Sequence, residues 1–305
     1  MAWQNVVISR PARLTIDLGR LCITQEGEPL YLPLEDIVTL TLENPQIQLT
    51  QPVLVACAQA GVAVMVCDAQ HLPCGVLHAL SPHSKAHESA HAQWQWTEAF
   101  RQECWQRLVV HKIVNQRAAL KAYGDDCARL GKLSAAVNTD NAATMEAQAA
   151  RIYFPRMFNR EFRRHDEGVI NSALDYGYAI VRATIARALT NFGFVPTMGL
   201  HHRHPQNAFN LADDLIEPFR PWVDGWVKLA EDDLAASIEL PKVQRARLTQ
   251  TLQLACRLES KTMTVQSAIW LATQSLVTAT RQKKANLLML PTWPAELAIL
   301  DSINA

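Results

Sequence analysis

The sequence predicts an α+β protein of two domains. A small N-terminal β-rich domain spans residues 1–80, a linker spans 81–92, and a larger all-α domain spans 93–305. Three observations carry this. Short β-rich runs alternate with turn residues as far as residue 80. A polar stretch, SPHSKAHESAH, follows from Ser81. From Gln93 onward apolar residues recur at helical spacing.

In the first part, Val6–Ile8, Leu14–Leu18 and Leu21–Thr24 are expected strands, separated by Pro11 and Gly19. The Glu26-Gly27-Glu28-Pro29 turn leads to strands at Leu30–Leu32, Ile37–Leu42 and Ile47–Leu49. A helix is expected from Gln51 to Ala60, closed by Gly61. The continuous apolar run Val62–Cys67 fits a buried strand, and Pro73-Cys74-Gly75 turns into Val76–Leu80. Nothing here has metal-ligand spacing, so scaffolding and subunit contact are the expected roles. The linker histidines His78, His83, His87 and His91 have only Glu88 as an acidic partner. They read as a solvated connection rather than a ligand cluster.

In the second part, Phe100, Cys104, Leu108, His111 and Val114 set a helix running to about Tyr123. Arg101, Arg107, Lys112, Arg117 and Lys121 form its basic side, which is either solvated or turned toward a polyanion. Asp140 or Asn141 can cap the next helix, in which the small residues Ala147, Ala149 and Ala150 surround Glu146. Arg156, Arg160, Arg163 and Arg164 are the densest basic patch in the chain. The interleaved Tyr153, Phe154, Phe158 and Phe162 suit a core, which leaves the arginines for phosphate. Asn171 is expected to cap a central helix with the apolar row Leu174, Tyr178, Val181, Ile185 and Leu189, ended by Gly193 and Pro196. Helices are further expected around Trp222 and Trp226 and over Val243–Leu258 and Met263–Lys283, and the tail LLMLPTWPAELAIL is expected to end in a short apolar helix.

The chemistry concentrates in MGLHHRHPQNAFNLADDLIEPFRP, Met198 to Pro221. His201, His202 and His204 lie in a loop closed by Pro205, and Asp213, Asp214 and Glu217 open a helix. Asp214 and Glu217, three apart, share a helix face. Nitrogen and oxygen donors together suit Mn or Zn, or Mg completed by water and phosphate oxygens. The alternative reading is solvated histidines and acids placed for the helix dipole.

Composition excludes several classes. No apolar run is long enough to cross a membrane, and the start MAWQNVVISRPARL lacks the pattern of a signal peptide. The expected location is the cytoplasm. The seven cysteines form no C-x-x-C pair and read as reduced thiols. Walker, dinucleotide-binding and G-x-S-x-G motifs are absent. Formal net charge is zero. Residues 1–85 are slightly acidic and the remainder slightly basic, so affinity for nucleic acid must come from local clusters or a partner.

Three segments, E-A-x-A-A-R-x-Y-F from Glu146, G-L-H-H from Gly199 and F-N-L-A-D-D-L-I-E-P-F-R-P from Phe209, resemble in order and spacing the CRISPR-associated adaptation integrase family. The likeness covers nearly the whole chain, and the E-P-F-R-P ending and compact length look most like type II systems. The resemblance implies that residues 93–305 are the catalytic domain and that Glu146, His202 and Glu217 bind Mg2+ or Mn2+. It also implies DNA joining by transesterification together with DNA endonuclease activity. The implied partners are double-stranded DNA, a second copy in a homodimer, a small CRISPR-associated adaptation protein and the type II effector nuclease. It brings Asn171 and Tyr178 toward DNA. With the arginine patch and with Arg203 and Arg220 beside the motifs, Tyr178 completes the set of candidate DNA contacts. A metal-binding imidazole must be neutral, so activity is expected to fall as His202 takes up a proton.

Overall fold

The computed structural model describes residues 4–69, 73–77 and 86–294. The first part is strand-rich, as expected. It comprises β1 (Gln4–Ile8), β2 (Arg13–Asp17), β3 (Arg20–Thr24), β4 (Leu30–Pro33), β5 (Ile37–Leu42), β6 (Gln48–Leu49), α1 (Gln51–Gln59), β7 (Ala63–Cys67) and β8 (Pro73–Leu77). They form two four-stranded sheets. One has the order β1-β5-β7-β8, parallel except for the β7–β8 pair, and the other has the order β4-β3-β2-β6. Leu14, Leu21, Ile37, Leu40, Val53, Cys57 and Val64 form the core between them and α1.

The two-residue period of β7 also attaches this part to the rest. Val64 enters the N-terminal core while its neighbour Met65, on the other face, joins the core of the helical part. That is why residues 62–65 are apolar without alternation: both faces are covered there, and exposure begins at Val66.

The helical part holds α2 (Ala86–Trp94), α3 (Glu98–Ala122), α4 (Ala128–Ala136), α5 (Ala142–Met157), α6 (Val169–Asn191), α7 (Asn210–Ile216), α8 (Arg220–Leu229), α9 (Glu231–Ala235), α10 (Lys242–Thr249) and α11 (Val265–Gln282). A 3-10 turn, Glu217–Phe219, joins α7 to α8. α3 is capped by Thr97, whose hydroxyl accepts from the Phe100 amide at 3.2 Å. It packs on α4, α5, α8 and the 3-10 turn. α6 is the buried central helix that its apolar row predicts, with Leu174, Val181, Ile185 and Leu189 all in the core. It ends at Asn191, and Gly193 adopts a φ of 78°.

The structure departs from expectation in three places. Of the expected linker, residues 81–85, together with His78 and His83, lie outside the described residues, but 86–92 form most of α2. There Gln93 is fully buried, its amide clamping the carbonyls of Val195 and Met198 and the amide of Val195. The expected Val243–Leu258 helix stops at Thr249. Leu254, Cys256 and Leu258 point inward with period two, which makes β9 (Ala255–Leu258). β9 pairs with β10 (Lys261–Thr264) and β11 (Pro291–Thr292) in a small sheet inside the otherwise helical part. Asn171 sits inside α6 rather than capping it, and Gly168 takes the cap position. The helix expected at the end of the apolar tail lies beyond residue 294, outside the described residues, and β11 precedes it.

Candidate active site

Three distant pieces of chain meet beside a cavity of about 1130 Å³. Glu146 comes from α5, Glu217 from the turn after α7, and Lys112 from the middle of α3. Lys112 Nζ lies 2.5 Å from Glu146 Oε1 and 2.5 Å from Glu217 Oε2. The first contact is a hydrogen bond. The second is an ion pair of the same length, so the one ammonium bridges both carboxylates. Arg220 Nε donates to the other Glu217 oxygen at 2.9 Å. Burial by itself would push the Glu217 carboxyl up. Arg220 and Lys112 overcome that and hold it down at about 2. Burial likewise works against the Lys112 charge, and Glu217 and Glu146 outweigh it, so its ammonium is held charged.

The expected basic side of α3 is therefore not uniformly solvated. Lys112 is 6% exposed and inside the site. Sequence reading passed over it because one lysine among five on a helix has no distinguishing pattern. Its available signal was helical spacing, four residues after Leu108 and one before Ile113 on the buried face of α3.

The histidine loop is built around Asp214, which is fully buried on α7. Its carboxylate accepts from the amides of Leu200 (2.5 Å), His201 (3.1 Å) and His202 (3.0 Å), and pairs with His202 Nδ1 at 2.8 Å. Gly199 makes this curl possible: a Cβ there would sit 2.3 Å from the His202 carbonyl oxygen and 2.7 Å from Asp214 Oδ2. Asn210, also buried, closes the loop from below. Its amide nitrogen donates to the carbonyls of Thr197 and His204 at 3.0 Å each, and its oxygen accepts from the His204 amide at 3.1 Å. His201 stacks flat on Trp105 at 4.2 Å, and His202 meets the same ring edge-on at 5.7 Å. The bond to Asp214 raises the His202 pKa above the ordinary histidine value, while burial lowers that of His201.

Of the expected trio, the structure brings Glu146 and Glu217 onto one cationic atom and turns His202 onto Asp214. Among the described residues no three His, Cys, Asp or Glu side chains stand close enough together to hold a metal ion as they are placed. The donor chemistry nevertheless fits one. Two carboxylates converge on a point that already holds a positive charge. A histidine whose Nδ1 is fixed by a carboxylate keeps Nε2 for a ligand.

The cavity wall is mixed. Arg160, Arg163 and Arg164 line it, as do Arg151, Arg182 and His165, which sequence reading had not singled out. Arg163 Nη1 donates to the carbonyls of Arg160 and Phe162. Arg164 pairs with Asp175 at 2.5 Å and donates to Asn171 at 3.1 Å, and Asn171 in turn holds the carbonyls of Arg163 and Asp166. Asn171 thus ties the arginine turn to α6. Tyr178 is buried. Its hydroxyl donates to Asp224, and Arg220 and Arg164 both stand over its ring. Burial pushes the Asp224 carboxyl up to about 6, against the hydrogen bonds it receives. Arg156 is not on the cavity wall and forms a two-oxygen pair with Asp125. Arg203 pairs with Glu98 at 2.7 Å beside a separate hollow lined also by Arg101, His202 and His204.

A family model described as CRISPR associated protein Cas1 matches residues 6–233. A CRISPR-associated endonuclease Cas1 of Neisseria meningitidis serogroup C (strain 8013) is 35% identical over 293 residues, covering 95% of this chain and 96% of the relative. A solved casposase bound to integration product superposes with a TM-score of 0.75 at 20% identity, over 93% of this chain and 92% of that one. A Cas6-RT-Cas1–Cas2 complex superposes with a TM-score of 0.74 at 19% identity, over 94% of this chain and 36% of that one.

Proposed function

The chain belongs to the CRISPR-associated Cas1 family, and from that membership we propose that it is a divalent-metal-dependent DNA integrase of CRISPR adaptation. It joins the 3′-hydroxyl ends of short duplex DNA to the repeat of a CRISPR array by transesterification, and it cleaves DNA when water replaces the hydroxyl. One observation carries the reading. Two carboxylates 71 positions apart in sequence, Glu146 and Glu217, converge on a single cationic atom at the wall of a cleft lined with arginines. The casposase likeness supports joining, and the name of the Neisseria relative supports cleavage.

In this reading Glu146, Glu217 and His202 hold Mg2+ or Mn2+. The ion's role is to neutralise charge on the phosphoryl group and help ionise the attacking hydroxyl. Asp214 fixes the His202 ring through Nδ1, which leaves Nε2 as the nitrogen that would bind the ion. Arg220 keeps Glu217 ionised and in place. Arg160, Arg163, Arg164 and Arg182 offer charge along the cleft for phosphate oxygens. Exchanging one phosphodiester for another needs no external energy source. The protein works in the cytoplasm as a homodimer on double-stranded DNA with a small adaptation partner. The Cas1–Cas2 complex among its structural neighbours is consistent with such a partner, and the type II effector nuclease is a further one.

The test is a labelled duplex with free 3′-hydroxyls and a supercoiled plasmid carrying the repeat. Wild type with Mn2+ yields joined products. Glu146→Gln, His202→Ala and Glu217→Gln each reduce joining at least about a hundredfold, a loss of about 2.7 kcal/mol in transition-state stabilisation. Cleavage without joining would assign the protein as a nuclease alone, and full joining by a folded Glu217→Gln variant would remove that residue from the site.

A further inference from the structure

Glu146 and Glu217 do not face an open position; they face Lys112. We infer that Lys112 is a resident cation in the metal position, and that uptake of a divalent ion requires its ammonium to move out. This rests on the reading that Glu146 and Glu217 are metal ligands. Nζ stands 2.5 Å from an oxygen of each, only a few tenths of an ångström beyond the roughly 2.1 Å at which a carboxylate oxygen contacts a small divalent ion. Two cations cannot share that place.

The charge arrangement explains why the chain keeps a lysine there. Glu217 is 4% exposed and Lys112 6%. Without the ammonium, two carboxylates would converge in a desolvated site, which is strongly unfavourable. With Lys112 and Arg220 present, the two acids are balanced. The two cations differ in what they can do. Arg220 is held over the Tyr178 ring, 4.5 Å from its centre, and hydrogen-bonded to Glu217. Lys112 carries a flexible four-carbon stem, lines the large cleft, and holds its place through the two carboxylates rather than through a ring stacked against it. Lys112 is therefore the one that yields. A divalent ion added while both cations remain nearby leaves the cluster with an excess of two positive charges, which a phosphodiester in the cleft would offset. Metal and DNA should accordingly strengthen each other's binding.

The measurement is Mn2+ affinity of the full chain, read from the electron paramagnetic resonance of free Mn2+, for wild type, Lys112→Met and Lys112→Gln. Removing a competing occupant raises the binding-competent fraction, so the dissociation constant of both variants should fall by about tenfold or more. Their metal-free melting temperatures should drop, and Mn2+ should restore more of them than it adds to wild type. An unchanged or weaker affinity overturns the inference. Should neither variant fold, a wild-type structure with Mn2+ decides. Nζ withdrawn from both carboxylates supports displacement, and Nζ still touching both overturns it. Wild-type protein whose Mn2+ binding is absent, or indifferent to Glu146→Gln and Glu217→Gln, would instead refute the metal reading, and this inference with it.

Discussion

Single residues set the electrostatic conditions of this molecule. His111, on α3 beside Arg107, is an example away from the cleft: burial, then the neighbouring guanidinium, lowers its pKa to about 4. The unfolded chain takes up this proton near the ordinary value of about 6.5, so between those values the unfolded state binds more protons than the folded one. The stability contribution is complete above about pH 6.5 and is lost as pH falls toward 4, by no more than about 3 kcal/mol. His111→Leu should flatten that slope. Urea unfolding at pH 7.5 and pH 5 would show the wild-type difference shrinking in the variant, and an equal difference in both would exclude His111 as its source. The same logic separates the two adjacent loop histidines. His201 lies flat on Trp105 and His202 is fixed by Asp214, so neighbours in sequence have pKa values shifted in opposite directions.

At the scale of elements, the connection from α6 to α7 matters most, because its shape places His202. Gly199 permits the close turn, Asp214 gathers three amides, and Asn210 holds both sides of the loop. A polar residue buried with all its groups engaged is costly to truncate, since its partners lose their bonds without gaining water. Asn210→Ala should lower stability by about 1–3 kcal/mol. It should also reduce strand joining more than Glu98→Ala, which touches only the exposed Arg203 pair. Equal joining by the two variants, measured below their melting temperatures, would show that the loop does not need this clamp. The F-N-L-A-D-D-L-I-E segment that marks the family is thus largely a device for holding a loop. Asp214 reads from sequence as a helix-start residue, whereas its partners, like those of Asn210, lie up to 14 positions upstream.

At the scale of the whole molecule, the strand-rich and helical parts are joined by a polar contact as well as by β7. Glu43, at the end of β5, receives Arg245 Nε at 2.7 Å from α10 and the Tyr176 hydroxyl at 3.1 Å from α6, and all three side chains are buried. Arg245 also donates to the Leu240 carbonyl at 2.7 Å. Arg245→Met strips the buried carboxylate of its guanidinium and should cost about 3–5 kcal/mol. The double variant Glu43→Gln, Arg245→Met should recover most of that, because no buried charge then remains. Chemical denaturation of the four-member cycle measures this. Additive losses would mean that the two residues are not energetically coupled. No helix among the described residues is long and apolar enough to cross a membrane.

Periodicity and motif order carried most of what could be read from the chain alone. The strand-rich first part, the long helices at Phe100 and Leu174, and the three separated acid and histidine segments all depend on local spacing, which a linear pattern records. The β9–β11 sheet was missed because Leu254, Cys256 and Leu258 alternate over too few residues to stand out against the helical pattern around them. The cleft lay outside local reach for a different reason. Which arginines line it, why Tyr178 points at Asp224, and that Lys112 rather than open space lies between Glu146 and Glu217 are all consequences of α3, α5, α6 and α7 packing together. Sequence determined which donors this protein owns and in what order. Only packing decided which of them share a buried site, because the balance of desolvation and charge depends on distances between residues that the chain keeps far apart.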